Sequence, residues 1–154
     1  MISQTAEYAL RAIVFMSEHK EKSHITSEIA EMTRVPAGYL SKVLQSLTRA
    51  GLVSSQRGLG GGFMLVKTPE DISIYEVIQA VDPIQRIHTC PLKLAAHGVR
   101  LCALHRRLDN AMALVEQQFK NTSVAEILAE PTQSRPLCPF PYVSPDKALS
   151  MSTK

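Results

Sequence analysis

Pro36 separates two stretches of helical periodicity and prevents them from being one unbroken helix. Its ring removes a backbone donor and biases Val35 away from helical angles, so a helix beginning near Thr26 stops by about Thr33 to Arg34. Thr26 is a good N-cap, Glu28 puts a negative charge in the first turn, and Ile29 with Met32 forms a short apolar stripe. A second helix starts near Ala37. Leu40, Val43, Leu44 and Leu47 line its buried face, and Tyr39, Ser41, Lys42, Gln45 and Arg49 its outer one, as far as Gly51, a natural stop. Short helix, turn and second helix with a polar outer face are the parts of a helix-turn-helix whose second member enters a major groove. Two ordinary core helices with solvated outer faces would share this pattern.

The next segment favours the first reading. Leu52-Val53 and Phe63-Met64-Leu65-Val66 are β-prone runs, and between them lie one cation and four glycines. Glycines permit a tight hairpin, and Arg57 at its tip could enter a minor groove. No Gly-Lys-Ser/Thr follows, which argues against a nucleotide loop.

Length, 154 residues, suits one domain with an added arm. A formal charge of +3 permits a nucleic-acid partner, but the cation excess over residues 1–67 is modest, so a single copy would bind DNA poorly. Dimerisation would double the phosphate contacts. No apolar run approaches membrane-spanning length and no signal-like start is present, so no membrane association and a cytoplasmic location are expected. Three cysteines argue against a secreted disulfide framework.

Ser3 to about His19 reads as a helix too apolar for a surface, hence sandwiched between the helix-turn-helix and something else. Glu7, one turn in, reads first as a solvated or dipole-compensating acid. Lys20 to His24 is a charged loop. After a break at Thr68 to Asp71, Ile72 to Val81 forms a short helix ended by Asp82-Pro83. Ala103 to Lys120 is a long helix with a seam of Leu104, Leu108, Ala111, Met112, Val115 and Phe119. That seam suits packing against its own copy, or equally an intramolecular core. Ser123 with Glu126 makes a capping box for a last short helix, and from Pro131 the Pro-rich chain, with Cys138, reads as a flexible tail.

From His88 to His105 two cysteines and three histidines fall within eighteen positions, interrupted by Pro91 and Gly98. Converging thiolates and imidazoles on an irregular loop are what a metal centre needs, and Cys102 and His105, three apart, share a helix face. The spacing fits no zinc ribbon or finger. The plain alternative is that Cys90 and Cys102 are buried small hydrophobes near surface histidines.

Val35-Pro36-Ala37-Gly38-Tyr39-Leu40, then Gly51-Leu52-Val53-Ser54-Ser55 and Arg57-Gly58-Leu59-Gly60-Gly61-Gly62-Phe63, resembles the Rrf-two family of bacterial winged-helix transcription factors. The family includes iron-sulfur cluster regulators and nitric-oxide sensors, and the resemblance covers about residues 1–128. It implies a homodimer on pseudo-palindromic promoter DNA, with the helix from Ala103 as dimer contact. Groove-facing positions fall on Gly38, Tyr39 and Lys42, with Ser41 and Gln45 beside them, and the wing tip on Arg57, Gly58 and Leu59. Lys42 stands where a glutamine can be. Cluster-binding members place three cysteines before the dimer helix; here Cys90 and Cys102 match the outer two, His105 a fourth ligand of some members, and Ala96, next to His97, replaces the middle one. Other members take an acidic ligand from the partner subunit at a position matching Glu7.

The resulting expectation is a mainly α protein with a small β wing: a winged helix-turn-helix over 1–85, a sensing loop over 86–105, a dimerisation helix and short terminal helix over 103–130, and a tail over 131–154. As function, it reads as a homodimeric repressor sensing iron, nitric oxide or redox state through an iron-sulfur cluster, with His97 or Cys138 as substitute ligands. The alternatives are a Cys90–Cys102 thiol switch and a winged-helix docking module; no serine, histidine and acid arrangement or paired-carboxylate site marks an enzyme.

Overall fold

The computed structural model describes residues 2–91, 100–131 and 136. Helix α1 (Gln4–Glu18) is capped by Ser3, whose hydroxyl accepts from the Ala6 N–H at 3.2 Å. It buries Ala6, Ala9 and the run Ala12 to Ser17 because α2, α3, α4, α6 and the wing all pack around it. The apolar sequence is thus that of a central helix rather than a surface one.

Helix α2 (Thr26–Thr33) starts one position earlier than its sequence suggests: Ile25 is the N-cap, gives no side-chain cap, and Thr26 is already helical. At its far end Arg34 turns into the left-handed region at φ 57°, and the Val35 N–H reaches back to the Ala30 carbonyl at 3.1 Å. Pro36 then caps α3 (Ala37–Arg49), its carbonyl accepting from the Leu40 N–H at 2.9 Å. Leu40, Val43, Leu44 and Leu47 are all buried, as the spacing required. Gly51 leaves the helix at φ 73°, a conformation that costs a glycine little.

Strands β1 (Val53–Gln56) and β2 (Gly62–Leu65) pair antiparallel with Val53 opposite Leu65 and Gln56 opposite Gly62. The expected charged loop Lys20 to His24 ends in a piece of this sheet. His24 and Phe63 exchange backbone hydrogen bonds at 2.9 and 2.8 Å, and the His24 ring is 1% exposed beneath Phe15, 4.9 Å between centroids. This contact explains the wing glycine: a Cβ on Gly62, at φ 157°, would stand 2.7 Å from the His24 carbonyl oxygen.

A 3-10 turn (Pro69–Asp71) leads to α4 (Ile74–Val81). Ser73 and Glu76 close a capping box there, which moves the start from Ile72 to Ile74 and leaves Ile72 buried ahead of the helix. Helix α5 (Ala103–Lys120) has no buried residue, whereas α6 (Val124–Ala129), capped by Ser123 and Glu126, returns to the core. The Val124 N–H donates to the Ile72 carbonyl at 2.9 Å, the Ile74 N–H to that of Thr122 at 3.0 Å, and Val124 is fully buried. Among the described residues no helix is long and apolar enough to cross a membrane.

Candidate functional site

The outer face of α3 and the tip of the wing carry the residues singled out for DNA. Gly38, Tyr39, Lys42, Gln45, Arg57, Gly58 and Leu59 are exposed, with Leu59 wholly outside any packing. Ser41 is half-buried and gives its hydroxyl proton to the Ala37 carbonyl at 3.0 Å. Gly38 has an ordinary helical backbone, and a Cβ there would meet nothing within 4 Å. Glycine in a helix costs about 0.5–1 kcal/mol relative to alanine, and nothing among the described residues accounts for its presence.

Tyr39 is held from behind. Its hydroxyl lies 3.1 Å from Thr5 Oγ1, and its ring meets that of Tyr8 edge-on at 5.7 Å. Arg11 lies over Tyr8 at 5.8 Å, pairs with Glu7, and donates to the Thr33 carbonyl at 3.4 Å. Glu7, the acidic position matched to a partner-donated ligand, is therefore exposed on α1 and engaged with Arg11.

Cys102 is the N-cap of α5 and its Sγ lies 3.3 Å from His105 Nδ1. Cys90 is buried at the end of the strap that crosses from α4. Among the described residues no three His, Cys, Asp or Glu side chains converge as a metal site; Ala96, His97 and Cys138 lie outside the described residues.

The strap is fixed by a cluster that spacing alone does not reveal. Arg86 grips Asp109 with two hydrogen bonds, 2.7 and 2.8 Å, and reaches Glu116 at 3.0 Å, while the Ile87 N–H donates to Asp109 at 2.9 Å. The Arg86 guanidinium and then the Ile87 N–H hold the Asp109 carboxyl down at about 2. Lys120 and then Arg86 lower that of Glu116. Asp109 and Glu116, seven apart on one face, could have flagged a strip for an outside cation; nothing in sequence named Arg86.

Because the carboxyl of Asp109 is depressed in the fold, the stability it contributes is present above its ordinary value near 3.8 and is lost as pH falls through about 2. Arg86→Ala is thus expected to melt below wild type at neutral pH, with the gap closing as acid approaches pH 2. Paired thermal melts at stepped pH would show this; a gap constant with pH would mean that Arg86 acts through packing alone.

Comparison with known proteins agrees with this architecture. The chain is 26% identical over 130 residues to the HTH-type transcriptional regulator IscR of Aliivibrio salmonicida (strain LFI1238), spanning 84% of this chain and 77% of that one. Its fold is similar to T. potens IscR, with a TM-score of 0.69 at 23% identity over 87% of this chain and 93% of that one. It is also similar to CymR, the global cysteine regulator of B. subtilis, with a TM-score of 0.66 at 22% identity over 82% and 95%. The family model described as "Rrf2: Iron-dependent Transcriptional regulator" matches residues 2–130, and the chain belongs to this family of winged-helix transcriptional regulators, not to the enzymes.

Proposed function

We propose that the chain is a cytoplasmic homodimeric regulator that reads pseudo-palindromic promoter DNA through α3 and the wing tip, with an iron-sulfur centre at the start of α5 setting its affinity. Gly38 is the observation that carries the DNA face. A helical glycine with an empty Cβ position is explained by close approach of something outside the chain, and the exposed Lys42, Gln45 and Arg57 around it suit phosphates and base edges.

Gly38→Ala is accordingly expected to raise stability by about 0.4–1 kcal/mol while weakening binding to the selected duplex. Lys42→Ala and Arg57→Ala should each weaken binding and lower the salt slope of the dimer by about two, one for each copy. A docking module would show stabilisation in the first variant and no change in salt dependence in the others. Anisotropy titrations against a duplex selected from a random pool, at stepped salt, separate the two readings.

For the sensing centre, Cys102 and His105 already sit as neighbouring soft and borderline donors. Cys90 is three residues beyond Ile87, which is tied to Asp109, so it lies within about 11 Å of that anchor. His105 is one turn before Asp109, about 6 Å along the same helix. The donor types suit a cluster of mixed ligation, whose binding would have to draw Cys90 to Cys102 and His105, with Glu7 of the partner subunit as the acidic ligand. Freeing Glu7 from Arg11 would require breaking an exposed i,i+4 pair, worth about 0.3–0.5 kcal/mol, which is no barrier to recruitment. A bound two-iron two-sulfur cluster would supply a redox couple whose potential histidine ligation raises.

Anaerobic purification with visible absorbance, iron and acid-labile sulfide analysis tests this reading. Coloured protein that loses its iron in Cys90→Ala and Cys102→Ala supports it. Colourless protein that resists reconstitution removes the cluster and leaves thiol chemistry at the same cysteines.

A further inference from the structure

We infer that Thr5 and Tyr8, on α1, are positioning residues for DNA recognition, acting through Tyr39; this rests on the DNA-reading role proposed for α3. Tyr39 lies in the first turn of α3, beside Gly38 and one turn before Lys42, and is 45% exposed. An exposed tyrosine on a groove-facing surface would ordinarily sample several rotamers. Here its ring is held edge-on by Tyr8 and its hydroxyl meets Thr5 Oγ1 across 34 residues of sequence.

One side of the phenol is therefore committed to α1, leaving the other side and the hydroxyl's remaining hydrogen-bonding capacity for DNA. The bracing extends further back. Arg11 lies over the Tyr8 ring and donates to the carbonyl of Thr33, the last residue of α2, so one α1 surface touches both helices of the helix-turn-helix. The polar face of α3 is thereby presented in one orientation before DNA arrives, so binding does not have to freeze the Tyr39 ring. Thr5 and Tyr8 contribute to sequence preference by fixing the residue that reads.

The distinguishing property is coupling. If Thr5 acts only through Tyr39, Thr5→Val and Tyr39→Phe remove the same interaction, and the double variant loses no more than the weaker single. The test uses the full chain and two probes: a duplex selected from a random pool by the wild-type protein, and a random-sequence duplex as competitor. Each single variant is expected to lose about 3- to 10-fold for the selected duplex, with little change for the random one. Thr5→Ser, which keeps the hydroxyl, should restore binding, and thermal melts of all variants should coincide with wild type.

Additive losses would mean that Thr5 and Tyr39 make separate contacts to DNA and would overturn the proposal. So would a Thr5→Val protein that binds normally while Tyr39→Phe does not. In both cases wild-type selectivity survives and the DNA-reading role stands. A wild-type chain that selects no duplex from the pool removes that role and this proposal with it.

Discussion

Leu108→Glu is expected to leave a folded monomer whose affinity for the selected duplex falls by more than about 100-fold, equivalent to about 3 kcal/mol. The seam read along α5 divides in two. Met112 and Phe119, with Val115 at their edge, line a cleft of about 360 Å³ against Ile2, Ala6 and Ile78. Leu104, at 63% exposed, Leu108, at 48%, and Val115, at 40%, form an outer stripe that no described residue covers. A continuous apolar stripe on a charged helix suits self-association, and burying a carboxylate there without a partner opposes it. Losing one copy halves the phosphate contacts, and the loss multiplies because affinity is exponential in their number. Sedimentation velocity and duplex titration on the same samples read both effects. A variant that remains dimeric would place the self-contact elsewhere, and one that melts far below wild type would give Leu108 a core role its exposure denies.

Gly62→Val is expected to cost about 2–5 kcal/mol and to detach the wing. The added carbon would meet backbone, the carbonyl oxygen and carbon of His24 at 2.7 and 2.8 Å, and no rotamer of another residue can relieve that contact. The chain must give up the paired His24 and Phe63 hydrogen bonds, each worth about 0.5–1.5 kcal/mol net, or carry backbone strain of similar size. Either route moves Arg57 and Leu59 away from α3. Hydrogen exchange should rise at the His24 and Phe63 amides before it rises in α1, and urea midpoints should fall. Unchanged protection at those two amides would show that the hairpin slides without cost. Gly38→Ala is the opposite limit, a glycine with open space around it.

Legibility followed locality. Helix α3, the wing and α5 were readable because Leu40 to Leu47, the glycines after Arg57 and the seam from Leu104 each repeat within one element, and Pro36 and Gly51 mark the ends of α3. The Ser123 and Glu126 box was readable for the same reason. The α4 start was misplaced because Ile72 continues the apolar pattern, while Ser73 and Glu76 set the actual boundary. Burial of His24 and the grip of Arg86 on Asp109 join positions 39 and 23 residues apart, and no periodicity encodes such pairs. At the candidate metal centre the three-residue spacing of Cys102 and His105 was legible and is realised. The strap that ends at Cys90 is held by Arg86, whose partner lies on another element.

The return of α6 bears on how the protein is made. Val124 is fully buried in the same core as Ala9, Leu44 and Ile72. Synthesis runs from the amino terminus, so α1 to α4 and the wing emerge with a gap in that core which only a residue beyond α5 can fill. The core around α1 therefore closes only after the whole of α5 has left the ribosome. A nascent chain cannot complete that core ahead of the helix that carries the outer apolar stripe.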